Sequence, residues 1–328
     1  MPASIVIRAT NWVGDAVMSL PAMAAVRSRF PDARIAVLAR PWVADLYRLT
    51  AVADEVIEYP RDIGWREAAR QLKERKFECA LLLQNAFEAA LIARWAGIPR
   101  RIGYARDARG WLLTDAVRVP QKGSIPPHES YYYLELLRRV GWGEALPDEP
   151  LVRLEGVDAE TENVIGVSPG AAYGGAKRWM AESFIETAAR LSAELKATVA
   201  LFGSKDERAL CEAIRQELER RGVSVRNDAG STSLAEFIRR AAACRVFLTN
   251  DSGAMHIASA LGVPTVAVFG ATNPVTTGPT GANSVVVRED VECSPCLLRE
   301  CPIDHRCMTR VTPERVFETA LRILAHVR

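Results

Sequence analysis

The sequence predicts an α/β protein of two doubly wound, parallel-sheet domains, Rossmann-like in type, that face a common cleft. Three observations carry this. The chain has 328 residues, beyond the size at which a single hydrophobic core usually stops growing. Short β-branched apolar runs alternate with helical runs, the signature of strand–helix–strand units. The alternation pauses over residues 141–163, a stretch with Pro147, Pro150 and several acidic residues, and then restarts. The expected domains are therefore 1–155 and 156–328, with the last helix, 313–328, a candidate to pack back on the first domain.

Taken in order, residues 4–9 are β-branched and apolar and read as a strand, followed by helical periodicity over 15–29. Residues 34–39 form a second strand. Residues 79–83 are wholly apolar, as expected of a strand covered on both faces. In the second half, 164–168 reads as a strand leading into a glycine-rich loop. A helix follows near 183–195, where Ser183 and Glu186 have capping-box spacing. After a strand at 198–202, Ser204 and Glu207 start a helix that Gly222 stops. Ser233 and Glu236 repeat the capping pattern. Strands at 245–249 and 264–269 enclose one more helix, and Thr312-Pro313 opens the last. Ligands of such domains bind at the carboxyl ends of the strands, so the loops after strands hold the candidate chemistry.

Composition narrows the function classes. A net charge of +2 gives no general affinity for polyanions, so no nucleic-acid partner is expected. The most apolar stretch, 256–271, is short and interrupted by Gly262, Pro264 and Gly270, so no transmembrane segment is expected. Arg8 breaks the first apolar run and no basic segment precedes it, unlike a signal peptide. The expected location is the cytoplasm, with peripheral contact to a membrane's inner face left open. Seven cysteines, an odd number, argue in that setting against structural disulfides. Cys79, Cys211 and Cys244 read as core. Cys293, Cys296, Cys301 and Cys307, with His305 nearby, are candidates for packing thiols, a local disulfide or a structural zinc.

Three loops after strands carry the motifs. Thr10-Asn11-Trp12-Val13-Gly14-Asp15 follows the first strand. There Gly14 would allow a tight turn, and Asp15 is either a helix cap or a cleft-facing general base. Residues 168–179, Ser168-Pro169-Gly170 through Lys177-Arg178-Trp179, combine glycines with cations. Backbone N–H groups and an ammonium there suit a phosphate, although the loop is neither a Walker A nor a dinucleotide motif. A plain surface loop with a solvated Lys-Arg pair is the other reading. Asn250-Asp251-Ser252-Gly253-Ala254-Met255-His256 lies between a strand and a helix. Its Asp251 or Ser252 would cap that helix, leaving N–H groups at Ser252, Gly253 and Ala254 for a diphosphate. His256 reads as packed rather than catalytic. Residues 94–122 hold seven cations against two acids, which makes Arg100, Arg101, Arg106 and Arg109 candidates for an anionic substrate or a merely solvated face.

In this order and spacing the three motifs resemble the ADP-heptose:lipopolysaccharide heptosyltransferases (glycosyltransferase family 9), and most of all the heptosyltransferase II branch. Gly270-Ala271-Thr272, Cys293-Ser294-Pro295-Cys296, Cys301-Pro302, Cys307-Met308 and His128-Glu129 with Tyr132 extend the likeness over nearly the whole chain. Met180, where the family often has proline, is a slight departure. The resemblance implies the GT-B architecture and an inverting transfer of L-glycero-D-manno-heptose with no bound metal or other cofactor. The implied donor, ADP-L-glycero-β-D-manno-heptose, is held mainly by the second domain. The implied acceptor is the first heptose of the inner core on lipid A. Asp15 matches the family's proposed base, and Lys177 its lysine near the donor phosphates. Ser168, Gly170, Ser252, Gly253 and Ala254 fall at the nucleotide and phosphate positions, and Asp251 where the donor sugar is contacted. Another family 9 transferase, a nucleotide-sugar epimerase of similar architecture and a noncatalytic binding protein are the competing readings.

Overall fold

The computed structural model describes residues 2–157 and 159–326. The chain divides after Pro150 into two units. In the first, six strands form one parallel sheet: β1 Ser4–Arg8, β2 Arg34–Ala39, β3 Glu55–Glu58, β4 Cys79–Leu82, β5 Arg100–Tyr104 and β6 Asp115–Val117, in the order β3-β2-β1-β4-β5-β6. In the second, β7 Val164–Ser168, β8 Thr198–Leu201, β9 Val225–Asn227, β10 Val246–Asn250, β11 Thr265–Phe269 and β12 Ser284–Arg288 are ordered β12-β11-β10-β7-β8-β9. Counted within each unit this is one plan, 3-2-1-4-5-6, so the chain reverses its direction of winding between β1 and β4 and again between β7 and β10. Loops that leave these neighbouring strands part to opposite sides and open a crevice at their carboxyl ends.

The central strands follow from composition. Every residue of β4, β7, β10 and β11 is buried, as strands covered by helices on both faces require. Edge strands β3, β6, β9 and β12 are only partly buried and carry charges, so their alternation is weak and the sequence did not reveal them. Gly166 illustrates the packing. A Cβ there would overlap the Phe247 ring and approach the Cys244 sulfur, so β7 can lie this close only without a side chain.

Local signals hold where the partners are local. Ser204–Glu207 and Ser233–Glu236 both form capping boxes, and Gly222 ends its helix with φ +78°. Elsewhere the expectation changes. The helix expected over 15–29 is two helices, Val13–Met18 and Leu20–Arg29, because Pro21 has no N–H to continue the first. Gly14 lies inside the first of these helices rather than in a turn. Ser183 and Glu186 form no box: the helix begins at Ala181 behind Met180, and Glu186 pairs with Arg221 instead. The Val152 and Leu154 N–H groups bond to Thr280 and to the Ala260 carbonyl, which ties the start of the connecting segment to the second unit. The C-terminal helix Pro313–His326 packs on β11, β12 and the helix Ala181–Leu195 of that unit.

Candidate active site

Both switch points carry motifs singled out in the sequence. In the first unit, the loop after β1 is fixed by buried Arg8, whose guanidinium donates to Asn11 Oδ1 at 3.0 Å, and by Trp42, which donates to the Asn11 carbonyl at 2.7 Å. Trp12, extended and 66% exposed, is the N-cap of the helix Val13–Met18. Asp15 therefore sits in the first helical turn, not at the cap. Its charge reaches Glu129 at the start of the helix Glu129–Arg139. Burial first, and Asp15 second, push the Glu129 carboxyl up to about 7, while Arg106 opposes the rise. The sequence reading gave Glu129 no role; only the packing of two helices far apart in sequence brings the two acids together.

The four arginines expected at an acceptor separate. Arg100 and Arg101 lie at the start of β5, on the sheet edge opposite Asp15. There Arg100 pairs with Asp115 at 2.8 Å and Arg101 donates to the Leu112 and Ile98 carbonyls. Arg109 is fully buried. Its guanidinium donates to the Tyr104, Gln84 and Ala86 carbonyls and to Asn85, closing the carboxyl ends of β4 and β5, and Gly103 leaves room for it. Burial lowers its pKa to about 10. Arg109→Met would strand several carbonyls, and it is expected to cost about 3 kcal/mol or more in a denaturant titration; an unchanged midpoint would refute this structural role. Arg106 alone is both exposed and on the carboxyl edge.

In the second unit, the loops after β7 and β10 are joined by Asn250. Its side chain donates to the Pro169 carbonyl at 2.7 Å and accepts the Trp179 N–H at 2.9 Å. That second bond fixes where the next helix starts. Ser168 is the last, buried residue of β7. A Cβ on Gly170 would displace the Glu207 carboxylate, which is held by the Ser204 N–H at 2.7 Å. Lys177 reaches across to Asp251, Nζ to Oδ2 2.6 Å, with the two side chains 14% and 5% exposed. Thr272 donates to the same carboxylate oxygen at 2.5 Å. Ser252 is the N-cap of the helix Gly253–Ala260, though its hydroxyl meets Thr249 at 3.2 Å rather than capping. Gly253 and Ala254 form the first turn of that helix beside Asp251. The structure thus gathers Lys177, Asp251, Ser252 and Thr272 at one switch point.

One expectation changes. The glycine-rich loop does not offer its last N–H groups to a phosphate. Gly175 N–H is taken by Glu300 at 2.9 Å and Ala176 N–H by the Arg299 carbonyl at 2.9 Å. The segment that takes them, 291–305, contains three of the four clustered cysteines, Cys293, Cys296 and Cys301. All seven cysteines are free thiols; Cys293 and Cys296 are exposed, Cys301 is partly buried and Cys307 is buried. Among the described residues no group of three or more His, Cys, Asp or Glu side chains is placed to hold a metal ion.

This arrangement has known counterparts. The sequence pattern of Glycosyltransferase family 9 (heptosyltransferase) matches residues 65–306. Lipopolysaccharide heptosyltransferase 2 of Escherichia coli K12 is 32% identical, over 96% of this chain and 96% of that protein. Lipooligosaccharide heptosyltransferase 2 of Campylobacter jejuni (strain 81116) is 29% identical, over 96% and 97%. The solved structure of Escherichia coli ADP-heptose LPS heptosyltransferase II superposes with a TM-score of 0.83 at 32% identity, covering 99% of each chain. The fold class expected from the sequence, two Rossmann-like units of the GT-B type, is that of this relative. With the matched pattern and these identities over almost the whole length, the chain belongs to glycosyltransferase family 9, the heptosyltransferases.

Proposed function

We propose that the protein transfers L-glycero-D-manno-heptose from ADP-heptose to the first heptose of the lipopolysaccharide inner core, as a heptosyltransferase II. The observation that carries this reading is the Lys177–Asp251–Thr272 constellation at the β7/β10 switch point, beside a helix N-terminus. An ammonium held by a carboxylate that a threonine hydroxyl in turn fixes is pre-positioned for an anionic leaving group, and such preorganisation lowers the barrier without rearrangement at the moment of reaction. The second unit holds the donor, with Asp251 toward the sugar and Lys177 and the Ser252–Ala254 N–H groups toward the diphosphate. Asp15 accepts the proton of the acceptor hydroxyl. The freed oxygen attacks the anomeric carbon, the bond to the β-phosphate oxygen breaks, and ADP departs. One displacement inverts the anomeric centre. The leaving charge is met by protein groups, so a bound metal is not part of the reading.

For the acceptor side, Arg106 is exposed and its charge reaches the same Glu129 carboxyl that Asp15 perturbs, and a guanidinium suits an anionic saccharide. No described helix is long and apolar enough to cross a membrane. The reading places the protein in the cytoplasm, meeting a lipid-anchored acceptor at the inner face of the inner membrane. Mass spectrometry of the products from ADP-heptose and a defined inner-core acceptor tests the reading. The expected product is the acceptor heavier by one heptose, with ADP. Release of free or isomerised heptose, with the acceptor unchanged, would overturn it.

A further inference from the structure

We propose that Arg299, carried on the strap of residues 291–305, is a cation for the donor diphosphate. The inference rests on the donor assignment above. Its starting point is the charge at that site. Lys177 is the expected phosphate ligand, yet its ammonium already has a carboxylate partner 2.6 Å away. The lysine and Asp251 together contribute no net charge toward a diphosphate. Two N–H groups of the glycine-rich loop, those of Gly175 and Ala176, are occupied. A nucleoside diphosphate carries at least two negative charges, and a helix N-terminus supplies only about half a positive charge. A further, uncommitted cation is needed.

The strap supplies it. It is sewn to the glycine-rich loop and to the end of β11 by bonds that fix its path. Tyr173 OH donates to the Leu297 carbonyl at 2.7 Å and His305 meets the Ala176 carbonyl at 3.0 Å. The Leu297 N–H donates to the Ala271 carbonyl at 2.8 Å and Ser294 to the Gly270 carbonyl at 2.6 Å. Gly174 has φ +155°, and a Cβ on it would overlap the Arg299 carbonyl, so the two backbones touch because this position is glycine. Pinned in this way, the Arg299 guanidinium lies 5.5 Å from the Tyr173 ring centroid. Lys177 Nζ lies 4.8 Å from the same centroid. One aromatic ring therefore gathers both cations, within the range at which a ring face attracts positive charge. Arg299 is exposed and, among the described residues, makes no ion pair. The nearest acid in sequence, Glu300, is engaged by the Gly175 N–H. The neighbouring Arg178 is committed differently, donating to the Ala171 carbonyl at 3.4 Å. A planar guanidinium can bind two phosphate oxygens at once, which an ammonium cannot.

The test is titration of the full-length protein with ADP and with AMP, for the wild type, Arg299→Gln, Arg299→Lys and Leu298→Ala. Arg299→Gln is expected to weaken ADP by about 10-fold or more, to weaken AMP much less, and to leave Tm unchanged. Arg299→Lys should recover part of the ADP affinity. Leu298→Ala, on the same exposed strap, should bind as the wild type. Equal ADP affinity in wild type and Arg299→Gln overturns the proposal. So does an equal loss for ADP and AMP, or a loss that Leu298→Ala reproduces, since either would mean that Arg299 only shapes the strap. A wild type that binds no ADP would instead overturn the donor assignment itself.

Discussion

Asp15→Asn is expected to lower kcat by about 100- to 10,000-fold, with ADP affinity close to that of the wild type. The amide has nearly the same shape but cannot take the acceptor's proton, so the loss should appear in kcat and not in donor binding. Steady-state rates paired with an ADP titration check both halves, and near-normal turnover would remove Asp15 from the mechanism. The variant also has a stability signature. Glu129 titrates at about 7, partly because Asp15 is charged beside it, whereas an unfolded carboxyl titrates near 4.3. Between those values the folded protein holds a proton that the unfolded chain has released, so stability falls as pH rises through that window. Removing the Asp15 charge lets Glu129 ionise at lower pH and narrows the window. Asp15→Asn should therefore be no less stable than the wild type at neutral pH, although nearly inactive.

Lys177→Met should lose both turnover and stability. Asp251 is almost wholly buried, and the lysine is its charge partner; Thr272 offers it one hydrogen bond. Breaking a buried pair from one side leaves an uncompensated charge, at a cost of about 3–5 kcal/mol, discounted here toward about 3 because the lysine retains some exposure. Lys177→Met with Asp251→Asn removes both charges and should regain most of that stability, while turnover stays low because the donor contacts are gone. Denaturant unfolding of the two single variants and the double variant separates the effects. Additive losses in the double variant would show that the two side chains do not act as a pair.

Much of the fold was legible in local pattern. The apolar, β-branched runs at 79–83, 164–168, 245–249 and 264–269 became β4, β7, β10 and β11, strands covered on both faces. The Ser204 and Ser233 boxes formed because both partners lie within one helical turn. The motif loops fell at switch points because strand order, once set, decides which loops diverge. The site was legible only as a set of positions. Asp15, Lys177 and Asp251 stood out by type and place, but their partners did not.

Apolar burial and helix capping are decided by neighbours a few residues away, so the sequence by itself determined the alternation, the two-unit plan and the loops that carry chemistry. Hydrogen bonds and ion pairs are instead completed by whichever group the fold delivers. Lys177 and Asp251 are 74 residues apart, and Gly175 and Glu300 are 125 apart. No periodicity marks such pairs. Only the tertiary structure could bury Arg109, send Arg100 and Arg101 to the far edge of the sheet, occupy the Gly175 and Ala176 N–H groups and bring Arg299 and Lys177 to one tyrosine ring. A polar group withdrawn from water must find a partner wherever the packed backbone places one.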